Sequence, residues 1–359
     1  MHFGEPLEEA RLIELLRPGN GIDTVLSADT YGSGDADSLL GRALAGVNRD
    51  SYSLVGAVGH DFYEGERQGP KGFPRFTDTS LRSEDEYAGY LRMAAERSLE
   101  RIGVDRFDLL LLHNPDRTGF TSEAVWSGMA ALRDEGLAKE IGVAPGPANG
   151  FTLDLIDCFE RFGSLLDWAM VILNPLEPWP GEMVLAAAES AGIDVITRVV
   201  DYGGLFWGDV DASTPLPDYD HRRFRPEGWI DVGAAKIERL REITDRLGLT
   251  PMQLACAWNL AHPAVDCVVP TLIQESGPGA RPIEEKRAEL ASLPERTGLT
   301  EPDVSAIRAI GDNTGSMALK GANPQYDGPE AADRWGMSDE LTAVAERSGI
   351  DPARDLAQR

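Results

Sequence analysis

Ser98-Leu99-Glu100-Arg101-Ile102-Gly103-Val104-Asp105, followed closely by Asp108-Leu109-Leu110-Leu111-Leu112-His113, joins a segment of helical period to a short, uninterrupted apolar run that ends in a histidine. The helical part opens at Ser83-Glu84-Asp85-Glu86, which has the form of a capping box, and runs through Tyr90, Leu91, Ala94 and Leu99. Such a box satisfies backbone N–H groups that a helix start leaves open. A helix of this spacing has an apolar stripe fit to pack on a sheet, and the leucine run reads as a strand buried within one.

The same alternation extends in both directions. Strands are expected near Ile22–Ser27, Ser53–Val58, Leu109–His113, Glu140–Val143, Ala169–Leu173, Val195–Val199 and Cys267–Val269. An eighth can only be Met1–Gly4, because Leu7–Leu16 already carries helical spacing. Thr250-Pro251 opens a further helix through Leu254, Trp258 and Leu260. Parallel strands joined by crossover helices, without a Gly-rich dinucleotide fingerprint, favour a closed (β/α)₈ TIM barrel over an open doubly wound sheet. Long βα loops are expected at His60–Leu81 and Tyr202–Trp229, on the face where such barrels build their sites. The expected division is a barrel over residues 1–310 and a C-terminal extension over 311–359, with a helix near Asp339–Glu346, that packs on it.

The chain has 359 residues, 42% hydrophobic and 26% charged, enough to bury a large core. Its formal charge of -26 repels phosphate backbones and anionic lipid, so the expected partner is a small molecule, with no nucleic acid and no membrane. A homo-oligomer is left open. Cys158, Cys256 and Cys267 lack metal-binding spacing and read as buried free thiols, so no metal is expected. The N-terminus has no signal-peptide pattern, and no stretch approaches the length of a membrane span; a cytoplasmic, reduced protein is expected.

Gly21-Ile22-Asp23-Thr24-Val25-Leu26-Ser27-Ala28-Asp29-Thr30-Tyr31-Gly32, with Leu39-Leu40-Gly41-Arg42-Ala43-Leu44 after it, resembles the strand, catalytic-tyrosine turn and helix of the aldo-keto reductase superfamily. The stretch ending in His113 is similar to that family's most diagnostic segment. Leu132-Arg133-Asp134-Glu135-Gly136, Ile141-Gly142-Val143, Gln253-Leu254-Ala255, Ala257-Trp258 and His262-Pro263 follow in the family's order, so the resemblance spans about Leu7 to Ile310. It implies a (β/α)₈ barrel that binds NADP or NAD without a Rossmann domain. It also implies an oxidoreductase acting on a carbonyl or hydroxyl group, with Tyr31 as catalytic proton donor and His113 as its catalytic partner. In that chemistry a phenol gives its proton to the carbonyl oxygen while the cofactor delivers hydride to carbon.

The sequence departs from the family at other positions. The expected aspartate is Leu26 and the expected lysine is Ala57. The nicotinamide-holding positions read Ala144-Pro145, Ala169-Met170 and Arg198-Val199-Val200-Asp201. Arg198, Arg281 and Glu285 are the remaining candidates for cofactor binding, the last two displaced by an insertion after Pro270. Polar residues crowd the expected strand ends, giving a substrate-pocket set of Asp29, His60, Asn114, Asn149, Asn174 and Asp201, to which Trp179 and Trp207 add flat faces. Asp61, Asp116 and Glu177 lie nearby, and Trp229 is a third loop tryptophan. Each has an ordinary structural counterpart: a strand-end histidine is often a hydrogen-bonded core residue, and Arg198 with Asp201 could form a local ion pair. The polar and aromatic mix favours a sugar-like substrate. The alternative without a cofactor is an NAD(P)-independent lyase, isomerase or dehydratase using Tyr31 and His113 for acid-base chemistry, with a pseudoenzyme behind it.

Overall fold

A computed structural model describes residues 3–69, 72–146 and 148–359. Seven strands form one parallel sheet in sequence order: β1 (Thr24–Leu26), β2 (Ser53–Val58), β3 (Phe107–His113), β4 (Ala138–Ala144), β5 (Trp168–Ile172), β6 (Asp194–Arg198) and β7 (Val265–Val269). All seven expected strands are present. β3 and β4 start earlier than their apolar runs because Phe107 pairs with Ala138, so backbone pairing carries both strands below the run.

The sheet curls with helices outside it. Leu109 and Leu111 join Ala28, Val55, Ala57, Ala144, Met170 and Ile196 in a cluster on the concave side. Leu110 and Leu112 belong to the larger cluster between sheet and helices. Alternate residues of one strand thus feed two cores, which is why the leucine run has no polar break.

The expected eighth strand is not seen. Met1 and His2 lie outside the described residues, and Phe3 and Gly4 pair with no strand. Gly4 takes φ +61, a bend rather than an extension, and the Pro6 that follows has no N–H for a ladder. The segment still lies against the chain beyond β7, with the Glu5 N–H donating to the Gln274 carbonyl at 2.7 Å. Among the described residues the architecture is therefore a curled seven-strand parallel sheet, without an eighth strand to close the barrel.

The helices begin where their caps require. Ser83 and Glu86 form the expected capping box ahead of the helix Tyr87–Ile102, and Thr250 with Gln253 forms another ahead of Pro251–Leu260. Cys158, Cys256 and Cys267 are free. Among the described residues no His, Cys, Asp and Glu cluster could hold a metal, and no helix is long and apolar enough to cross a membrane.

Beyond residue 310 the chain returns to the sheet ends. The Lys320 carbonyl accepts from the Phe151 N–H, and Asp154, buried in the helix Thr152–Phe162, accepts from the Ala322 N–H and the Trp335 indole. The helix Asp339–Arg347 packs on Thr152–Phe162, with Arg347 paired to Glu160.

Candidate functional site

Tyr31 stands at the C-terminal end of β1, where Gly32, Ser33 and Gly34 take consecutive positive φ angles of 61°, 55° and 98°. Such a turn needs glycine because a Cβ crowds the left-handed backbone. The turn presents the ring, 42% exposed, to the concave side. His113 ends β3 with the parity of Leu109 and Leu111 and so points the same way. The two rings meet edge to face, with centroids 5.7 Å apart and planes at 85°. His60 packs against the other side of His113 at 5.2 Å.

Hydrogen bonding sets the tautomer of His60. Its Nδ1 lies 2.9 Å from the Phe73 carbonyl and its Nε2 lies 3.0 Å from Asn114 Nδ2. The neutral tautomer that donates from Nδ1 and accepts at Nε2 satisfies both contacts. Burial, followed by the Arg75 guanidinium, lowers its pKa to about 4. His113 is held well below the usual histidine range, first by burial and then by His60, Arg75 and Arg198, and its Nδ1 has no partner. Both rings are therefore neutral near pH 7.

Arg198 ends β6 on the concave side, and its Nη2 donates to the Pro145 carbonyl at 2.7 Å. It is close enough to Tyr31 to pull the phenol pKa down, although loss of hydration is the larger cause and leaves it above its usual value. Tyr31 thus remains a protonated phenol, a state suited to giving a proton. Ala57, where a lysine was expected, lines the core below.

Arg75 reaches this mouth from the long loop after β2. Its Nε donates to the Asn114 carbonyl and its Nη1 lies 3.1 Å from His60 Nδ1. A bridge between His60 and Arg75 folds the loop back on itself, and this pairing brings the arginine in. Sequence reasoning passed over Arg75, which had no signal beyond its place in a long loop. Asn114 holds φ +50 between these groups. Gly146 lies so close that a Cβ there would come 2.1 Å from Asn114 Oδ1 and 3.2 Å from Arg198 Nη2.

Of the sequence-derived set, Tyr31, His113, His60, Asn114 and Arg198 are brought together. Asn149 lines a small cavity with Arg198, Pro145 and Thr152, and both Asn149 Oδ1 and Thr152 Oγ1 are buried without a partner. The others lie elsewhere. Asp29 is fully buried on the helix side of β1 among Asp37, Asp61 and Arg101, with neither carboxylate oxygen partnered, and burial raises its pKa well above the usual range. Its parity with Ser27, which bonds to Asp37 at 2.6 Å, turns it away from the mouth. Asn174 closes a local turn through Leu176, Glu177 and Val199. Asp201 accepts from the Gly204 and Thr271 N–H groups and makes no pair with Arg198. Trp179 donates to the Asp355 carbonyl and bonds with Asn313, so it braces the C-terminal chain. Trp207 is buried with its indole on the Thr271 carbonyl. Arg281 pairs with Glu289 and donates to the Trp207 carbonyl, while Glu285 is exposed on the helix Ile283–Ala291.

The sequence profile of the Aldo/keto reductase family matches residues 4–277. The chain belongs to that family. It is 24% identical over 263 residues to a 6-dehydroglucose reductase of Agrobacterium fabrum, covering 70% of this chain and 73% of that one. In structure it is similar to a glycerol dehydrogenase of Gluconobacter oxydans, with TM-score 0.64, 19% identity and coverage of 84% and 83% of the two chains. It is also similar to a Klebsiella pneumoniae aldo/keto reductase solved with NADP and acetate, with TM-score 0.56, 19% identity and 85% of each chain covered. At such identities the structures share a fold.

A nicotinamide is the cofactor of this family, and the residues here do not fit it as they stand. Arg198 lies across the ends of β4 and β6, bonded to Pro145. Between these strand ends and the Asn149 loop is a cavity of about 20 Å³, room for a water, which neither Tyr31 nor His113 lines. Of the basic groups that could meet its phosphates, Arg281 is paired with Glu289, and Lys286 with Asp209 at 2.7 Å.

Proposed function

We propose that this aldo/keto reductase family member acts on the carbonyl or hydroxyl group of a small polar, sugar-like molecule, with Tyr31 as proton donor and His113 as its partner. The observation that carries the reading is the edge-to-face contact of Tyr31 and His113 beside the Arg198 cation. A phenol kept protonated by its surroundings can donate to a carbonyl oxygen, and Arg198 stabilises the phenolate left behind. Neutral His113 offers an N–H to the same oxygen, holding it in place without competing for the proton. The A. fabrum relative, named for a sugar-derived carbonyl, supports a sugar-like substrate. Residues 1–310 form the catalytic unit in this reading, and 311–359 an extension that braces its β4 and β5 side.

Family membership makes oxidoreductase the parent class, with NADP or NAD as the hydride partner. The Arg198–Pro145 closure favours a second reading, a nicotinamide-independent isomerase, lyase or dehydratase that uses the same proton transfers. Titration of the purified protein with NADPH and NADH, followed by tryptophan fluorescence and calorimetry, separates them. Micromolar binding supports the oxidoreductase, with Arg198 displaced from Pro145; no binding at millimolar concentration leaves the second reading. In either case Tyr31→Phe is expected to lower turnover by about 10²–10⁴-fold with folding intact, the scale of a lost general acid. Retained turnover in that variant removes Tyr31 from the chemistry.

A further inference from the structure

The deeply buried cations of this acidic chain divide by what they face. Arg82 meets Asp61 at 2.6 Å, Lys286 meets Asp209 at 2.7 Å, and Arg222 is held by both Asp220 and Glu275. Arg75 is 7% exposed and has no carboxylate within ion-pair distance among the described residues. Its Nε donates to the Asn114 carbonyl, and its Nη1 lies 3.1 Å from a His60 Nδ1 that donates to Phe73 and so cannot accept from it. The two acids that act on it through space are committed elsewhere: Asp116 to Thr77 and the Gly119 N–H, and Asp333 to Lys320. Arg198, half-buried, likewise has only the Pro145 carbonyl. Arg75 donates to the Asn114 carbonyl, and a Cβ on Gly146 would lie 2.1 Å from Asn114 Oδ1 and 3.2 Å from Arg198 Nη2, so both guanidiniums lie beside Asn114, next to His113.

Burying a guanidinium without a counter-charge is costly, and in a chain with 60 acidic residues a carboxylate partner is the easy solution. Its absence at these two positions alone among the groups compared marks where an anion from outside completes the pairing. Arg offers parallel N–H groups that match a carboxylate or phosphate.

We propose that the substrate carries an anionic group, carboxylate or phosphate, seated between Arg75 and Arg198 beside the hydroxyl or carbonyl that faces Tyr31. This names the substrate class of the site described above and rests on that reading for the position of the reacting group. The anion supplies the missing counter-charge to both arginines. It also confers selectivity, since a neutral sugar would leave two desolvated cations unpaired. Arg75 and Arg198 are the specificity-determining residues in this arrangement, with Asn114 and Gly146 fixing the space between them.

The test is calorimetric binding of three molecules that share a ring: D-glucose, D-glucuronate and D-glucose 6-phosphate. At least one anion is expected to bind about 10-fold or more tightly than glucose, as a charge-assisted contact would give. Which of the two binds tells carboxylate from phosphate. The preference should vanish in Arg75→Gln/Arg198→Gln and return in Arg75→Lys/Arg198→Lys, which keeps the charge and controls for a packing defect. Equal binding of all three molecules, or a preference that survives the glutamine pair, overturns the proposal. Tyr31→Phe is expected to keep the preference. If it does so without losing turnover, the anion site stands while the proton-donor reading falls, so the two failures are distinguishable.

Discussion

Arg198 and Arg222 lie on the same stretch of chain, the first at the end of β6 and the second in the loop beyond it, yet they meet opposite surroundings. Arg222 is 1% exposed and clamped by two carboxylates, which raise its pKa despite burial. Arg198 has one carbonyl and a phenol, and burial lowers its pKa. The Arg222 clamp also ties down the N-terminal segment, since Asp220 accepts from the Gly4 N–H at 2.9 Å. Arg222 thus holds the fold, whereas Arg198 has no carboxylate partner among the described residues. A buried charge with all its partners in the chain reports on architecture, and one without them reports on function.

The comparison predicts unequal costs. Arg222→Met strands Asp220 and Glu275 and is expected to destabilise by about 3–5 kcal/mol, the range for breaking a buried pair. Arg198→Met removes an uncompensated cation and should change stability by no more than about 1 kcal/mol. Urea unfolding of the two variants checks this, and similar losses in both would erase the distinction between clamp and site.

A pH series sharpens the comparison at the histidines. His60 has a folded pKa of about 4, below the unfolded histidine value, so the unfolded chain binds a proton first as pH falls. Its stabilising contribution is present above about pH 6.5 and is lost on descent to about pH 4, a change of roughly 2–3 kcal/mol. Other groups titrate in this window, Asp154 near 6 among them with the opposite sign, so the difference between wild type and His60→Gln is the quantity to follow. Relative to wild type, His60→Gln should gain stability as pH falls through that window. A flat difference would mean that burial and the Arg75 guanidinium do not hold His60 neutral.

Gly146 tests the packing between these groups. A methyl group there would collide with Asn114 Oδ1, and Gly146→Ala is expected to cost about 1–3 kcal/mol, as overpacking does. By moving Asn114 it should also disturb the His60 contact, visible as a shifted histidine resonance in an NMR titration. An unshifted resonance would separate Asn114 from the histidine pair.

The seven strands were legible because a strand buried on both faces must be apolar throughout, and Leu109–Leu112 has no other comfortable place. Tyr31 and His113 were legible because the segments around them resemble those of the aldo-keto reductase family. The eighth strand was not, since Gly4 and Pro6 break a segment too short to show a period. Asp29 was read as a pocket residue because it stands at a strand end, yet its parity with Val25 and Ser27 turns it to the helix side. Trp179 and Trp207 likewise came to brace chain segments distant in sequence, through the carbonyls of Asp355 and Thr271.

Alone, the sequence determined the order of strands and helices, because hydrophobic period is a local property, and its resemblance to the family singled out Tyr31 and His113. Only the tertiary structure decided which charges meet. Arg75 enters the mouth through a loop folded onto His60, and Arg222 finds Glu275 from 53 positions away. Ion pairing falls off within a few ångströms, and those distances are set by how the chain returns upon itself.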